Sequence, residues 1–525
     1  MRPGLTLFKT ICFATTCLLC AFSCGDSGGD EPTPNVRLSA SQTVFSFEAE
    51  ADSQDFTFDA ASRPNFVSDA SWCIVKTSDY SISDHNGTAT MSVTANSSTS
   101  SREASVTMRC GDEKISLTVS QAGIVVESTE PVTYNNTAWS QSEKLGLGWN
   151  MGNHFDAFYN YHTSDDPEKD LYDMPSETAW QGELCTQATF TRVKAAGFSS
   201  VRIPITWLRK IGSAPDYKID ENWMNRIYEV VGYAENAGLN VIINTHHDED
   251  HGDGHWLNLA GAVTSEDVNT QVKAEITAVW TQIANKFKDK GDWLIFESFN
   301  ELIAGSDWSL SSNAQKRCDI INQWNQTFVT TVRATGGNNN SRWLGVPTYA
   351  ASPSYLDYFE VPSDPAKKTM VSVHFYDPYD YTIGAKQYSD WGHTGSSSNK
   401  VIGGDEDHVK DVFHKLNKKY IANNIPVYLG EFGCSMRAKS DTRAWKFFLY
   451  YLEYVVKAAR SYGMPCFLWD NGASGSGQEQ HGYINHGTGN YIGNSKEAVD
   501  VMVKARTDNS SGYTLDYVYN NAPKL

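Results

Sequence analysis

The stretch WLIFESFNE, residues 293–301, has the mostly apolar composition of a β-strand buried on both faces, and it ends in the polar pair Asn300 and Glu301. Seven more segments of this kind recur along the chain, at 145–150, 200–207, 240–246, 343–349, 370–376, 427–431 and 466–469. Amphipathic helical stretches follow most of them, for example at 221–238, 270–290, 314–335, 405–422 and 442–462. Strands that alternate with helices indicate an α/β fold with a parallel sheet, and eight such units predict a closed (β/α)8 barrel, the TIM barrel, over residues 141–525.

An open, doubly wound sheet is the alternative to a barrel. That fold would need a glycine-rich nucleotide-binding turn that opens a helix directly after the first strand. Gly146, Gly148 and Gly152 lie near this strand, but residues 151–158 form a polar and aromatic loop instead of a helix start. We therefore favour the closed barrel.

A different pattern precedes the barrel. Residues 36–123 contain short segments of alternating apolar and polar residues separated by turns, which predicts a small all-β, immunoglobulin-like sandwich. Four of its segments, at 71–72, 95–96, 101–104 and 120–123, together resemble the BACON module that precedes many bacterial carbohydrate enzymes. The module's name implies sugar binding, but Trp72 is its one obvious aromatic platform, so we favour a spacer role. Residues 124–140, stiffened by Pro131, are expected to form a linker.

The N-terminus has the features of an export signal. An apolar run at 11–22 is too short to span a bilayer and ends just before Cys24 and a polar stretch, which resembles a bacterial lipoprotein cleavage site. We predict a signal peptide over 1–23, a lipid on Cys24, a flexible tether over 24–35, and anchoring in the outer membrane facing the cell exterior. Lipidation at Cys20, a plain secretory signal, and a periplasmic or secreted protein are the alternatives.

Composition excludes some classes of partner. The net charge of -19 argues against binding nucleic acid, whose phosphates require a basic surface, and it suits a neutral sugar polymer. The chain has 15 Trp and 26 Tyr, most of which we expect in the core. After removal of the leader and Cys24, six cysteines remain, and their spacings match no zinc motif: Cys73, Cys110, Cys185, Cys318, Cys434 and Cys466. Disulfides and buried free thiols both fit these cysteines.

The ends of the predicted barrel strands carry a set of polar and aromatic residues. These residues are Asn153, Arg202, His246, His247, Asn300, Glu301, His374, Tyr376, Glu431 and Trp469. Functional residues of a barrel lie at the C-terminal ends of its strands, and so many polar groups there would be costly without partners. Glu301 and Glu431 follow the fourth and seventh strands. Glycoside hydrolysis needs a pair of carboxyl groups, in retaining enzymes roughly 5–5.5 Å apart, and strand-end glutamates from two strands across a barrel can meet that distance. Arg202 and Tyr376 are expected to hold one of the two glutamates ionised.

Together, the segments 148–153, 201–204, 299–301, 374–376, 430–433 and 468–471 resemble glycoside hydrolase family 5. The His246-His247 pair suggests its subfamily 4. The resemblance covers about residues 130–510 and implies retaining hydrolysis of a β-1,4-glucan backbone. It further implies that Glu301 is the acid/base, that Glu431 is the nucleophile, and that the other strand-end residues bind substrate. Leu302 follows Glu301 where the family commonly has Pro or Ile, a departure that bears on substrate choice.

Two function classes compete with this hypothesis. The histidine-rich segment 246–255 offers metal ligands, so a metal-dependent barrel hydrolase is the first. Such a site would not need two isolated strand-end glutamates, and we expect neither a metal nor another cofactor. A catalytically inactive, sugar-binding lipoprotein is the second. Decayed enzymes usually lose one catalytic carboxylate, and both Glu301 and Glu431 are present.

The resemblance leaves the polysaccharide open among cellulose, mixed-linkage glucan, xyloglucan and glucomannan. A membrane-tethered enzyme meets soluble, branched polymers more readily than crystalline fibre. We therefore favour an endo-xyloglucanase over a general endo-β-1,4-glucanase. The expected partners are this β-glucan and the membrane, and we expect the chain to act as a monomer.

Overall fold

The computed structural model describes residues 36–124, 128–167, 169–249, 255–384 and 388–524. The predicted signal peptide, Cys24 and the tether lie outside these described residues. Contacts divide the chain into two compact units, one ending at Ser128 and the other beginning at Thr129. The second half of the expected linker belongs to the barrel unit, because Lys410 pairs with Glu130 at 2.8 Å and a helix begins at Thr137.

The described residues of the N-terminal domain form eight strands. They are β1 (Ser39–Ala40), β2 (Val44–Phe47), β3 (Asp52–Asp59), β4 (Asn65–Ser68), β5 (Cys73–Ser81), β6 (Asn86–Val93), β7 (Arg102–Cys110) and β8 (Glu113–Gln121). Two four-stranded sheets result, with strand orders β1-β3-β6-β5 and β2-β8-β7-β4. Alternate residues of the strands point inward, and Phe45, Phe56, Met91 and Val106 form part of the core between the sheets. The predicted all-β sandwich is confirmed.

Trp72, the one obvious aromatic platform in this domain, is half-buried. One part of its ring packs against the sandwich core, and the Arg102 guanidinium carbon lies 4.3 Å from the ring centroid. Arg102 is itself held in place, because its Nε and Nη2 donate to Gln121 Oε1 at 3.0 and 2.8 Å. The guanidinium occupies one face of the ring, so less of the ring is left to stack on a sugar.

Eight parallel strands close the barrel of the second domain, which confirms the predicted fold. In chain order they are β9 (Leu147–Asn150), β10 (Ser200–Ile203), β11 (Asn240–Ile243), β12 (Leu294–Glu297), β13 (Leu344–Pro347), β14 (Thr369–Phe375), β15 (Val427–Phe432) and β16 (Cys466–Leu468). β9 pairs with both β10 and β16, which closes the sheet. Most strands end a few residues earlier than predicted, because residues such as Asn300 and Glu301 have already left the ladder toward the barrel mouth.

Eleven α-helices accompany the described part of the barrel domain. They are α1 (Thr137–Leu145), α2 (Gln187–Ala195), α3 (Glu221–Asn236), α4 (Leu259–Thr264), α5 (Glu266–Lys286), α6 (Ala314–Ala334), α7 (Tyr379–Thr382), α8 (Glu406–Lys419), α9 (Thr442–Ser461), α10 (Ser495–Thr507) and α11 (Leu515–Asn520). Among these described residues, no helix is both long enough and apolar enough to cross a lipid bilayer.

Local sequence explains where these helices begin and end. α3 begins after Asp220, whose side chain accepts a hydrogen bond from the Trp223 backbone N–H, and it is followed by Gly238 at φ 71°. Its buried residues include Ile227 and Val230, one turn apart on the face that packs on the barrel. The same combination of cap and apolar face recurs in α9, after Asp441.

The inside of the barrel changes from apolar at its base to polar at its mouth. Seven large side chains fill the base: Leu145, Ile242, Ile295, Trp343, Met370, Tyr428 and Phe467. Gly148 and Gly345 make room for the rings of Phe467 and Tyr428, which a methyl group at either position would overlap. Above this layer, the inward side chains are Arg202, Glu297 and their hydrogen-bond partners. The polar layer thus lies directly beneath the strand ends.

Candidate active site

The two predicted glutamates meet at one histidine. His374 Nδ1 lies 2.6 Å from Glu301 Oε1 and 3.6 Å from Glu431 Oε2. An oxygen of each carboxylate and a ring nitrogen of His374 all lie within 4.8 Å of one another. This short separation is close to the roughly 5–5.5 Å between the carboxyl groups of retaining glycosidases, and below the ~6.5–9.5 Å of inverting ones.

Glu431 is held in one orientation by two donors. Arg202 Nη1 donates to its Oε1 at 2.8 Å, and the Tyr376 hydroxyl donates to its Oε2 at 2.9 Å. Burial raises the pKa of the Glu431 carboxyl, while the neighbouring His374 and Arg202 oppose this rise. The sequence led us to expect that Arg202 and Tyr376 would hold one of the two glutamates ionised; at Glu431 in the structure, the effect of burial on the pKa is larger than theirs.

Backbone irregularity aims Glu431 into the mouth. The pairing register shifts next to it on both sides, between Val373 and His374 against β14 and between Leu429 and Phe432 against β16. Gly430 sits at this shift, where an added Cβ would lie 3.0 Å from His374 Nε2. A glycine therefore allows the His374 ring to approach the strand that carries Glu431.

Arg202 lies beneath the cleft and does not line it, although we expected it to bind substrate. Its side chain is fully buried and binds Glu431, Glu297 Oε2 (2.7 Å from Nε), Asn150 Oδ1 (3.0 Å from Nη1) and Asn300 Oδ1 (2.9 Å from Nη2). The guanidinium therefore acts on the carboxylate and on the strand ends, not on a ligand.

Glu297 is a site residue that the sequence reasoning missed. Its carboxylate accepts hydrogen bonds from Ser372 Oγ and Tyr428 Oη, each at 2.7 Å, besides that from Arg202. Burial alone would raise its pKa, but the Arg202 guanidinium, His374 and the two hydroxyl hydrogen bonds together outweigh burial and hold the pKa of Glu297 below its usual range. Two carboxylates thus share one guanidinium. The available signal was an acidic residue inside an otherwise apolar strand.

His246 and His247 line one wall of the cleft. Their Nε2 atoms each lie 3.9 Å from Asp156 Oδ2, and these three groups form a second compact cluster. Burial and His247 lower the pKa of His246, whereas Glu249 and Asp156 overcome burial and raise the pKa of His247 to about 9. Asp156 lies on a loop and was not predicted.

The histidine-rich segment motivated the metal alternative. In the structure, its described residues have separate roles. Asp248 is buried and accepts hydrogen bonds from the Trp207 backbone N–H and Trp256 Nε1, so it ties loops together. Asp156 likewise accepts the backbone N–H groups of Asn153 and His154, at 2.9 and 2.7 Å. Residues 250–254 of this segment lie outside the described part of the chain.

A cleft of about 730 Å³ runs across the barrel mouth. Nine of the ten predicted residues line it: Asn153, His246, His247, Asn300, Glu301, His374, Tyr376, Glu431 and Trp469. The Trp469 ring lies against Gly152, where an added Cβ would be 2.6 Å from it, and parallel to His246. Lining residues that we did not predict include Trp308 and Tyr379, which are 51% and 58% exposed. Trp308 lies on a loop and Tyr379 begins the short helix α7, so neither is at the strand-end positions that guided the prediction.

Comparisons with known proteins agree with this geometry. The family model described as cellulase (glycosyl hydrolase family 5) matches residues 164–475, and the BACON model matches residues 60–122. Endoglucanase A from Paenibacillus barcinonensis is 35% identical over 362 residues, which are 66% of this chain and 84% of that relative.

Two solved structures extend the comparison. A broad-specificity endoglucanase of family 5, subfamily 4, from Bacteroides salanitronis is 45% identical, with a TM-score of 0.66 over 73% of this chain and 98% of that chain. A family 5 xyloglucanase from Bacteroides ovatus, solved with a heptasaccharide, is 27% identical, with a TM-score of 0.61 over 90% of this chain and 100% of that chain. With its closed barrel and its paired glutamates at the barrel mouth, this chain belongs to glycoside hydrolase family 5, as an endoglucanase-type catalytic domain behind an N-terminal BACON domain.

Proposed function

We propose that this protein is a retaining endo-β-1,4-glucanase that acts on soluble plant β-glucan, with xyloglucan as its preferred substrate. The observation that carries the reaction type is the cluster of Glu301, His374 and Glu431, whose ligand atoms lie within 4.8 Å of one another. The substrate choice is supported by the likeness to the Bacteroides ovatus xyloglucanase, which extends over 90% of the chain and so reaches beyond the catalytic domain.

In the proposed reaction, the two glutamates have different roles. Glu431, fixed by Arg202 and Tyr376, attacks the anomeric carbon and forms a glycosyl ester. Glu301 donates its proton to the departing oxygen, then takes a proton from the water that breaks the ester and frees Glu431. The side chain of Glu301 is 20% exposed, against 7% for Glu431. Glu301, which exchanges protons with water in this reaction, is therefore the more solvent-accessible of the two.

Substrate choice is tested by side-by-side digestion of xyloglucan, mixed-linkage glucan, carboxymethyl cellulose and mannan. We expect the highest kcat/KM on xyloglucan, with a rapid fall in polymer length that marks endo cleavage. A general endo-β-1,4-glucanase is the second candidate, supported by the 45% identity with the broad-specificity enzyme. Equal or higher kcat/KM on the unbranched glucans would favour it and overturn the xyloglucan proposal.

Glu297 is expected to control the pH at which Glu431 ionises. Glu297 and Glu431 both form ion pairs with Arg202. Glu297→Gln removes one of these negative charges, so that Arg202 then pairs with the Glu431 carboxylate alone. The pKa of Glu431 should then fall. Because the nucleophile must be ionised, the acid limb of kcat/KM against pH should move to lower pH, while kcat/KM at the optimum falls by about tenfold or less.

Ser372→Ala is the matched control for that substitution. It removes one hydrogen bond from Glu297 but keeps the carboxylate charge, so its acid limb should stay near that of the wild type. An acid limb of Glu297→Gln that stays in place or moves to higher pH would show that Glu297 serves stability alone. Thermal unfolding of both variants separates loss of fold from the change in titration.

The N-terminal domain is expected to be dispensable for catalysis on soluble glucan. The contact division at Ser128 and the covered face of Trp72 both support a spacer. A chain that begins at Thr129 should keep kcat/KM within about twofold of the full chain, and residues 36–124 alone should not be retarded in gels that contain xyloglucan. Retardation of the isolated domain, abolished by a substitution on its surface, would reverse this assignment.

We also propose that Cys24 carries the lipid that anchors the protein in the outer membrane. The short apolar run and the following polar stretch motivate this proposal. Cys24→Ala should move the protein from the membrane fraction to the soluble fraction, whereas Cys20→Ala should leave it in the membrane fraction. Mature protein without lipid by mass spectrometry would contradict the anchor.

A further inference from the structure

The loop that follows β9 concentrates exposed apolar surface at the functional end of the barrel. Of ten large, exposed hydrophobic side chains in the described barrel domain, four lie on this loop: Tyr161, Leu171, Tyr172 and Leu184. Tyr161 is 56% exposed and Tyr172 is 40% exposed. Exposed apolar residues scattered singly are ordinary, but a cluster on one loop marks a binding surface.

This surface is held rigidly. Three of these four residues, all except Leu184, lie within residues 158–167 and 169–175, which we call the tyrosine loop. Its two sides are joined by β-bridges between Phe158 and Pro175 and between Tyr159 and Tyr172. The Asp173 N–H donates to the Tyr159 carbonyl at 2.8 Å. A loop that is fixed before binding loses little conformational entropy when it binds.

The charged residues of the tyrosine loop complete this bracing. Asp170 accepts the Thr163 N–H at 2.8 Å and lies 2.6 Å from His162 Nδ1, and Arg209 donates to the Asp170 carbonyl. The His162 ring stacks on Tyr172, with centroids 4.6 Å apart, which fixes the orientation of the tyrosine. The Tyr172 ring is therefore presented in a defined orientation, and the Tyr161 ring lies edge-to-face with Tyr159, with centroids 5.9 Å apart.

The tyrosine loop adjoins the catalytic cleft at His247. The ring of Phe158 lies 6.0 Å from that of His247, and Trp180 lies 5.8 Å from the same histidine. His247 lines the cleft beside the catalytic pair. A chain that leaves the cleft over His247 therefore meets the tyrosine loop next.

The strand order of the barrel indicates which part of the substrate chain lies toward the tyrosine loop. The tyrosine loop follows β9, which pairs with β16, the strand that precedes Trp469. Glu301, which protonates the departing oxygen, lies after β12 on another part of the barrel wall. The departing part of the chain thus extends past Glu301, and the part that stays bonded to Glu431 extends over Trp469 toward the tyrosine loop.

We propose that the tyrosine loop is a distal binding platform for the glycone part of a neutral β-glucan chain, with Tyr161 and Tyr172 stacking on its sugar rings. The proposal rests on the proposed glucanase function and deepens it. Aromatic faces suit the apolar faces of pyranose rings. The acidic side chains on this loop, such as Asp165, Asp166 and Asp173, disfavour an anionic polymer and can accept hydrogen bonds from sugar hydroxyls.

The experiment compares long and short substrates in Tyr161→Ala and Tyr172→Ala. On xyloglucan polymer, kcat/KM should fall by roughly five- to tenfold for each variant, mainly through KM. On an aryl β-cellobioside, which is too short to reach the tyrosine loop, kcat/KM should stay at the wild-type value. Tyr517→Ala removes a tyrosine that is 47% exposed on α11 and should change neither value.

Several outcomes would overturn the platform. They are an unchanged kcat/KM on polymer, an equal fall on the aryl cellobioside, and an equal fall for Tyr517→Ala. A loss of dimers in light scattering on Tyr161→Ala would assign the surface to a second copy of the chain. Wild-type protein without activity on either substrate would instead reject the proposed glucanase function, so the two failures are distinguishable.

Discussion

Replacement of Glu431 by glutamine is expected to lower kcat/KM on every β-glucan by about 10⁴-fold or more, because an amide cannot form the glycosyl ester. The change is nearly isosteric. The amide oxygen can still accept from Arg202 Nη1, and the Tyr376 hydroxyl can accept from the new amide N–H. The variant should therefore fold and still bind substrate. Initial rates, together with retardation in xyloglucan gels, check both expectations.

Glu275→Gln is the control for removal of a buried carboxylate. Glu275 lies on α5, outside the cleft, and burial raises its pKa to about 7. Its amide variant should keep wild-type kcat/KM and at least wild-type thermal stability near neutral pH, since a partly ionised buried group becomes neutral. Glu431→Gln with activity within tenfold of the wild type would remove Glu431 from the role of nucleophile. It would also reopen the metal-dependent alternative, which activity in the presence of a chelator then tests.

The barrel could be predicted because each of its strands is recognisable from a short, continuous run of residues. A strand such as β12 is buried on both faces, so four consecutive residues are buried and the run is visible in the sequence. Glu301 and Glu431 could be predicted for a related reason: each follows such a run at the point where a barrel places its functional groups. No knowledge of distant contacts was needed for either inference.

The roles of Glu297 and Trp72 could not be predicted from single segments of the sequence. The role of Glu297 depends on Arg202, Ser372 and Tyr428, which come from three other strands and meet only when the barrel closes. The ring of Trp72 looked available because the sequence does not show that Arg102, thirty residues later, lies on it. Such contacts are set by strand register, which no single segment encodes.

The raised pKa of Glu431 depends on a balance that the sequence does not contain. Its cationic neighbour Arg202 was identified, and a cation alone lowers the pKa of a carboxyl group. The degree of burial and the sharing of Arg202 with Glu297 oppose that effect, and both are properties of the folded site. Two exposed residues that line the cleft were not predicted for another reason. Trp308 lies on a loop and Tyr379 on the short helix α7, and the positions of both depend on tertiary contacts.

Replacement of Glu301 by alanine is expected to give a different defect from that of Glu431. On polysaccharide, kcat should fall by about 10²- to 10⁴-fold, because the departing sugar oxygen is no longer protonated. An aryl glycoside with an acidic phenol as its leaving group needs no such proton, so the ester on Glu431 should still form and accumulate. Breakdown of the ester becomes rate-limiting, since no base remains to activate water. Azide, which needs no base, should restore turnover.

The configuration of the azide product then assigns both glutamates in one experiment. In Glu301→Ala, azide attacks the ester on Glu431 from the opposite face of the sugar, and two inversions give the β-glycosyl azide. In Glu431→Ala, azide occupies the space of the missing carboxylate and displaces the leaving group directly, so one inversion gives the α-glycosyl azide. Proton NMR distinguishes the two anomers. An α product from Glu301→Ala, or an α-configured first sugar from the wild-type enzyme, would require an inverting mechanism and contradict the carboxylate separation within 4.8 Å at His374.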